Sequence, residues 1–302
     1  MFVGIGLGTD RLGKVGSGAS LNLNFTSAIP GGVTVVSSPA GYAPTSSGTL
    51  TAFTANAGRR TDLGLMVEPA ATNICLQSQT LDNGTWSRTN LSGVTADTTA
   101  APDGTTTAEK LVEDGLTNAH AISQIITTTA APYTFSAYIK PAGRNFCALY
   151  ETSAAKGSYF NVSSPAALGI LNGTPTSVRI TALGNGWCLC EITLTLTASS
   201  TVNIFDSING SAFNYGGDGS SGVYAWGAQL ELGTKATSAI TTTTASATRT
   251  AENIQFTVPA GITNLTYTFD DNSTQLVSGV SAGTYTIPTN LNRPQIKTIV
   301  GS

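Results

Sequence analysis

The chain has 302 residues, only 10% of them charged, while Gly contributes 33 and Thr 48. Fourteen basic residues stand against seventeen acidic ones for a net charge of -3, and no basic run exceeds Arg59-Arg60, so there is no electrostatic footprint for nucleic acid. No apolar stretch approaches the roughly 18 residues of a membrane span. Low net charge argues against disorder, and a surface built from Thr, Ser, Asn and Gly suits strands and tight turns. Lys, Glu, Leu and Met are too scarce for long helices. The expected class is all-β.

The opening MFVGIGLGTDRLGK has no basic start and meets Asp10 and Arg11 early, unlike a secretory signal. Its GIGLGTD imitates a dinucleotide fingerprint but lacks the preceding strand and following helix. Residues 1–60 read as an extended arm with short strands at Ser20–Phe25, Val33–Ser37 and Thr49–Phe53, separated by turns at Pro30-Gly31-Gly32 and Pro39-Ala40-Gly41. Too poor in apolar residues to fold alone, the arm should lie on its own sandwich or on a neighbouring subunit.

Residues 61–250 read as a β-sandwich or jelly roll of short strands with turn clusters between them. Thr106–Asp114 fits helix or strand. His120, before an apolar run, reads as a surface or strand-end histidine. Tyr133–Ile139 alternates cleanly, and so does Cys188–Thr197, where a change of phase between Leu189 and Ile192 predicts a bulge near Glu191. Phe146–Tyr150, Tyr159–Val162, Ser177–Ala182, Val202–Asp206 and Val223–Leu230 complete the strands. Trp187 and Trp226 sit in apolar alternation and read as core. Cys188 and Cys190 share a strand face, Cys75 and Cys147 stand alone, and all four read as buried free thiols that suit folding in a reducing cytoplasm.

Thr234–Glu252 reads as a linker. Residues 251–302 form a small β module with strands at Ile254–Val258, Leu265–Phe269, Thr274–Val280 and Thr284–Ile287. Fifty residues without disulfide or metal should dock or oligomerise.

The residues allow few chemistries. One histidine makes a His-rich metal site impossible and a Ser-His-Asp triad improbable. No phosphate loop or nucleophile motif is present, and no cofactor or metal is expected. A glycan site needs exposed rings beside amides and carboxylates. The loop Asp206–Ser221 offers Phe213, Asn214, Tyr215 and Asp218 among Gly and Ser, and Trp86, with Asn83 and Arg88, is a second candidate. The alternative is that these rings anchor the loop. Spacing singles out no glycosidase pair among Glu151, Glu191, Asp206 and Asp218. Glu68 should be tied to a cation such as Arg249 or Lys140, Asp103 should cap its own turn, and Gln229 and Glu231 should bind backbone or a partner.

Six segments, in order, resemble a family. LGLMVEPAATN at 63–73 is similar to the "GLLIEPARTNL" entry into a jelly roll of carbohydrate-binding-module type in structural proteins of tailed bacteriophages. LDNGTWS at 81–87, APDGTTTAEKL at 101–111, TFSAYIK at 134–140, GNGWC at 184–188 and AWGAQLELG at 225–233 resemble its later segments. Residues 236–249 resemble its exit, and the C-terminal 50 residues resemble a short module that follows such domains. Cys188-Leu189 replace the family's Tyr-Arg, Ala239 its Tyr, and Ala70-Ala71 its Ala-Arg; each change removes a polar or aromatic group. The resemblance implies a non-enzymatic virion structural protein, assembled in the host cytoplasm and displayed on the particle surface as a capsid decoration or small tail or fibre component. Its partners would be other virion proteins and host surface polysaccharide. A homo-oligomer, most simply a trimer, is expected. The alternatives are a receptor-recognition module of a tail fibre and a polysaccharide depolymerase.

Overall fold

A computed structural model describes residues 20–302. Apart from a single 3-10 turn at Gly184–Gly186, its regular elements are all strands. Two six-stranded antiparallel sheets form the main body. One runs Ser177–Ala182, Cys188–Leu196, Ala131–Pro141, Gly222–Leu232, Ala108–Glu113, Leu91–Thr99. The other runs Ala166–Asn172, Lys156–Asn161, Phe146–Glu151, Ser199–Ser207, Ala121–Thr127, Ser87–Thr89. Numbered along the chain from Ala108–Glu113 and leaving out the edge strands, the eight central strands fall into the orders 6-3-8-1 and 5-4-7-2, the double Greek key of a jelly roll. The core between the sheets is made by alternate residues such as Leu111, Ile122, Phe135, Leu149, Phe160, Ile192, Ile204 and Leu230.

Both faces of the first sheet are covered. Trp187, Trp226 and Tyr138 form a second apolar cluster on its outer side with Leu50 and Ala108, and Leu189 packs against it. This explains the phase change that suggested a bulge near Glu191. Cys188, Cys190, Ile192, Leu194 and Leu196 keep strict alternation into the main core, and the pairing of Cys188–Leu196 with Ala131–Pro141 runs without interruption. Leu189 simply serves the other face. The irregularity lies one strand further on, where Gly227 takes a positive φ opposite the Ser136–Tyr138 step.

The arm and the C-terminal residues build one unit. Leu21–Asn24 pairs with Gln295–Gly301, Val33–Ser37 pairs with Asn253–Val258, and Gly64–Met66 pairs with Gln295–Gly301 as well. Leu23, Phe25, Leu65 and Val67 are buried in the same core as Ile254, Phe256, Tyr267, Phe269 and Ile299. Fifty C-terminal residues cannot bury enough apolar surface alone; the N-terminal strands supply the missing part. Part of the first sixty residues therefore belongs to the module, and Gln295–Gly301, unforeseen as a strand, is its central member. Phe25→Ala is expected to cost about 3–5 kcal/mol and to give the C-terminal module a separate, earlier transition in urea. A single unshifted transition would contradict that coupling.

The supposed linker at 234–252 is ordered by pairing. Ala247–Arg249 forms a short sheet with Ala71–Asn73, and Ala239, Ile240 and Thr242 are buried. Ala108–Glu113 is a strand, not a helix. His120 is fully buried at the start of its strand, where Nδ1 meets the Asn90 carbonyl at 2.7 Å. It is satisfied, as expected, but not on the surface.

Candidate functional site

The motif residues converge on the strap at 236–240. Glu191 accepts a hydrogen bond from Ala236 N, Glu231 from Thr237 N, Glu68 from Ser238 N, and Gln229 from Ile240 N. Below them Arg59, buried, donates to Glu252 at 2.6 Å and Glu68 at 2.7 Å, and Arg249 also pairs with Glu68. Burial would raise the Glu68 pKa, but Arg249 and Arg59 hold it down to about 2. Burial instead wins at Glu231, raised to about 6 against the Thr237 N–H, and at Glu191, which is also raised. Arg59 and Arg249 balance the charges of Glu68 and Glu252, and apart from the unpartnered Arg249 Nε their donors and acceptors are spent on the chain itself. It is a fastening, not a binding site. The expected partner of Glu68 is Arg249, together with Arg59; Lys140 takes no part in this network. Asp103 caps Thr105 N across its turn, as the sequence suggests.

The loop after Asp206 holds a second buried polar group. Glu113, on the inner face with Leu111, accepts from Arg144, from the Tyr215 hydroxyl at 2.6 Å and from Asp218 N at 2.7 Å. Burial opposes its ionisation, yet Arg144 and Tyr215 lower its pKa. Tyr215 is only 6% exposed, its ring contacted by His120 at 4.8 Å and by the Arg144 guanidinium at 5.3 Å. It anchors the loop and has no free face for a sugar. Asp218 is exposed and turns the loop, accepting from Ser220 N and Ser221 N; those Ser221 and Ser220 bonds lower its pKa. Trp86 is 2% exposed with Nε1 donating to the Leu76 and Gln77 carbonyls, so it too is a core anchor. The spacing of aromatic residues among Gly and Ser marks ring anchors as readily as ring platforms, and Tyr215 and Trp86 are anchors.

Phe213 and Asn214 differ. Phe213 is half-buried and Asn214 exposed. The Phe213 ring lies 5.1 Å from that of Phe205, and Phe205 lies 6.2 Å from Tyr150. These three rings stand on the outer face of the second sheet. Cys147 and Leu149 point into the core, so Ala148 and Tyr150 point out, beside Tyr159 and Phe205. Around them lie Asn172, exposed, whose Nδ2 donates to the Tyr150 hydroxyl at 2.8 Å, and Asn203, buried opposite Tyr150 in register with its amide spent on the Tyr150 and Thr201 carbonyls. Tyr150 and Phe213 are half-exposed, Phe205 9% exposed. A shallow apolar row edged by amides can stack a sugar ring and hydrogen-bond its hydroxyls. Tyr150 was missed in the sequence because its strand, Phe146–Glu151, is apolar in both phases, and Phe205 because its own phase is otherwise polar, with Thr201 and Asn203. The legible signal was that two phases cannot both face inward.

The four acids open to a glycosidase reading do not form such a pair. Glu151 accepts from Ser153 N and Thr201 N, Glu191 binds Ala236 N, Asp218 caps its loop, and Asp206 points inward beside Val202 and Ile204. Burial and the nearby Glu113 charge raise the Asp206 pKa, and neither of its oxygens has a partner among the described residues. A second acid pair, Asp82 and Glu109, shares a hydrogen bond that, after burial, raises Glu109 to about 9. Among the described residues no three His, Cys, Asp or Glu side chains gather as a metal site. Asp270 and Asp271 are both bridged by Arg293. All four cysteines are free and buried, and burial raises the Cys75, Cys188 and Cys190 thiols. Compared with known proteins, the chain matches no family model and has no significant match among curated proteins.

Proposed function

We propose that the chain is a bacteriophage virion structural protein displayed on the particle surface, a capsid decoration or small tail or fibre component, which adheres to host polysaccharide without catalysing a reaction. The observation that carries this reading is the way the ordered motifs complete one another. Glu68 from the first, Gln229 and Glu231 from the AQLE segment, and Arg249 from the last are joined through the strap they enclose. Separate segments that meet in one fastening support reading the resemblance as one of a whole domain rather than of scattered words. Fold likeness alone does not carry function. The adhesive part rests on the half-exposed outer-face rings of Tyr150 and Phe213, backed by the buried Phe205, with the exposed amides of Asn172 and Asn214.

Mixing the purified protein with stripped heads and stripped tails tests the structural part: it should sediment with one of them, and association with neither would sink the reading. Retention on a host-polysaccharide column tests the adhesive part. Phe213→Ala should weaken retention about ten-fold, the equivalent of roughly 1.4 kcal/mol, with an unchanged unfolding midpoint. Equal retention of the variant would exclude the row as the site. Release of oligosaccharide during the incubation would favour a depolymerase instead.

A further inference from the structure

We infer that a cavity beside Arg249 binds the acetamido group of an N-acetylated amino sugar. The cavity, about 480 Å³, lies between the hairpin Gly41–Pro44 with Leu50–Phe53 and the segment that carries Ala239, Ala247 and Arg249. Tyr42 packs on the outer side of the first sheet, so the cavity shares nothing with Tyr150, Phe205 and Phe213. Arg249 is the only charged residue on its wall among the described residues, and is 4% exposed. The outer nitrogens of Arg249 are turned away. Nη1 donates to Glu68 and Ser238, and Nη2 to the Pro69 carbonyl at 3.3 Å, and none of these three residues borders the cavity. Its Cδ lies 3.6 Å from where a Cβ on Gly41 would stand, and Gly41 is part of the wall. The stretch from Cδ to Nε is therefore what Arg249 presents to the cavity. That Nε–H has no partner among the described residues. Buried N–H groups are nearly always paired, and an acceptor brought by a ligand would pair this one.

The wall selects the acceptor. Arg59 and Arg249 already balance Glu68 and Glu252, so a carboxylate would add an uncompensated charge close to Glu68. A neutral carbonyl adds none. Ala52, Ala239 and Ala247 line the same space, and side chains this small and apolar suit a methyl group. A carbonyl oxygen with a methyl beside it is an acetyl group. The rest of the wall suits a sugar. Tyr42 and Phe53 are half-buried, and Tyr42 is held by an edge-on contact with Trp226, ring centres 6.0 Å apart, and by its hydroxyl donating to Asp103. Fixed rings of this kind stack on the face of a pyranose. The exposed Thr241 and Thr250 bring hydroxyls that can bond those of the sugar. The volume is within the range of small-molecule sites.

Saturation-transfer NMR on the full chain, with the methyl glycosides of N-acetylglucosamine, N-acetylgalactosamine, glucosamine and glucose, tests this. The acetylated sugars should bind with a Kd of about 1 mM, their acetyl methyl the most strongly saturated. Glucose and glucosamine should bind at least about ten-fold more weakly. Arg249→Lys keeps a cation for Glu68 and removes the Nε–H, so it should abolish the preference for the acetylated sugars. Ala239→Leu fills the space and should abolish binding. Phe213→Ala, on the other sheet, should change nothing, which keeps this site separate from the outer-face row and its column test. Glucose binding as tight as that of the acetylated sugars, or no binding of any sugar at about 50 mM, would overturn the inference. So would an acetyl preference that survives Arg249→Lys, or a loss of binding in Phe213→Ala. Equal binding of N-acetylalanine methylamide would overturn it too, and make the cavity a peptide site.

Discussion

Replacing Arg59 by Met should lower stability by about 3–5 kcal/mol. Arg59 is wholly buried and is the only described cation that touches both Glu68 and Glu252. Removing it leaves Glu252 without its ion pair and leaves Glu68 dependent on Arg249 alone. Two buried carboxylates would then face the desolvation cost with half the compensating charge. The pH profile should change with it. Glu68 falls from its ordinary 4.5 to about 2 in the fold, so its contribution is present above pH 4.5 and is lost as pH falls towards 2. That contribution is roughly 3 kcal/mol. The variant should lose part of this acid-sensitive stability, because the Glu68 pKa rises when one of its cations goes. A second variant separates a missing partner from general damage: Arg59→Met combined with Glu68→Gln and Glu252→Gln should recover much of the loss, since neutral groups of similar shape carry no uncompensated charge. Urea midpoints at pH 3, 5 and 7 read both effects. An Arg59→Met profile parallel to wild type would show that the arginine is not what holds Glu68 ionised.

The importance of this fastening explains what the sequence conveyed and what it hid. Strands came through well where one face is apolar: Ser177–Ala182 and Val33–Ser37 are found at the bounds their residues suggested. They were lost where Thr replaces alternation, as in Leu91–Thr99, an edge strand exposed over most of its length. The linker reading of 234–252 failed for a different reason. A segment of small residues has no apolar signal of its own, and this one is ordered by acceptors on Glu68 and Glu191, 170 and 45 positions away, together with Gln229 and Glu231 just before it. The ring candidates divided along the same line. Nothing local distinguishes Tyr215 from Phe213, two residues apart; what buries the first is Glu113, 102 positions away. Acids on the inner face were likewise invisible as such. Glu109 and Glu113 flank Leu111 in strict alternation, which places all three on one side, but which side depends on Trp226 packing against Ala108 on the other.

Glu109 is the source of the other large effect, and its sign is opposite to that of Glu68. Only 2% exposed, it touches Asp82, and one of its oxygens and one of Asp82's lack any partner among the described residues. Burial first, and the bond to Asp82 second, raise it from 4.5 to about 9. The fold therefore favours the protonated acid. Its contribution is fully present below pH 4.5 and is lost as pH climbs through about 9, a loss of up to about 6 kcal/mol over that interval. Glu109→Gln keeps the shape and a donor for Asp82 while removing the titration. Its stability should match wild type near pH 5 and exceed it by several kcal/mol at pH 9, measured as urea midpoints with an unchanged m-value. Asp82→Asn should act in the same direction more weakly, because it removes the lesser cause and leaves the burial. Asp206, raised by burial and by Glu113, contributes an alkaline slope of the same sign, so the reference for both variants is an Asp206→Asn background. In that background a Glu109→Gln curve that still falls between pH 5 and 9 as steeply as its parent would show that Glu109 is ionised in the fold, and that the Asp82 contact is held by something other than a shared proton.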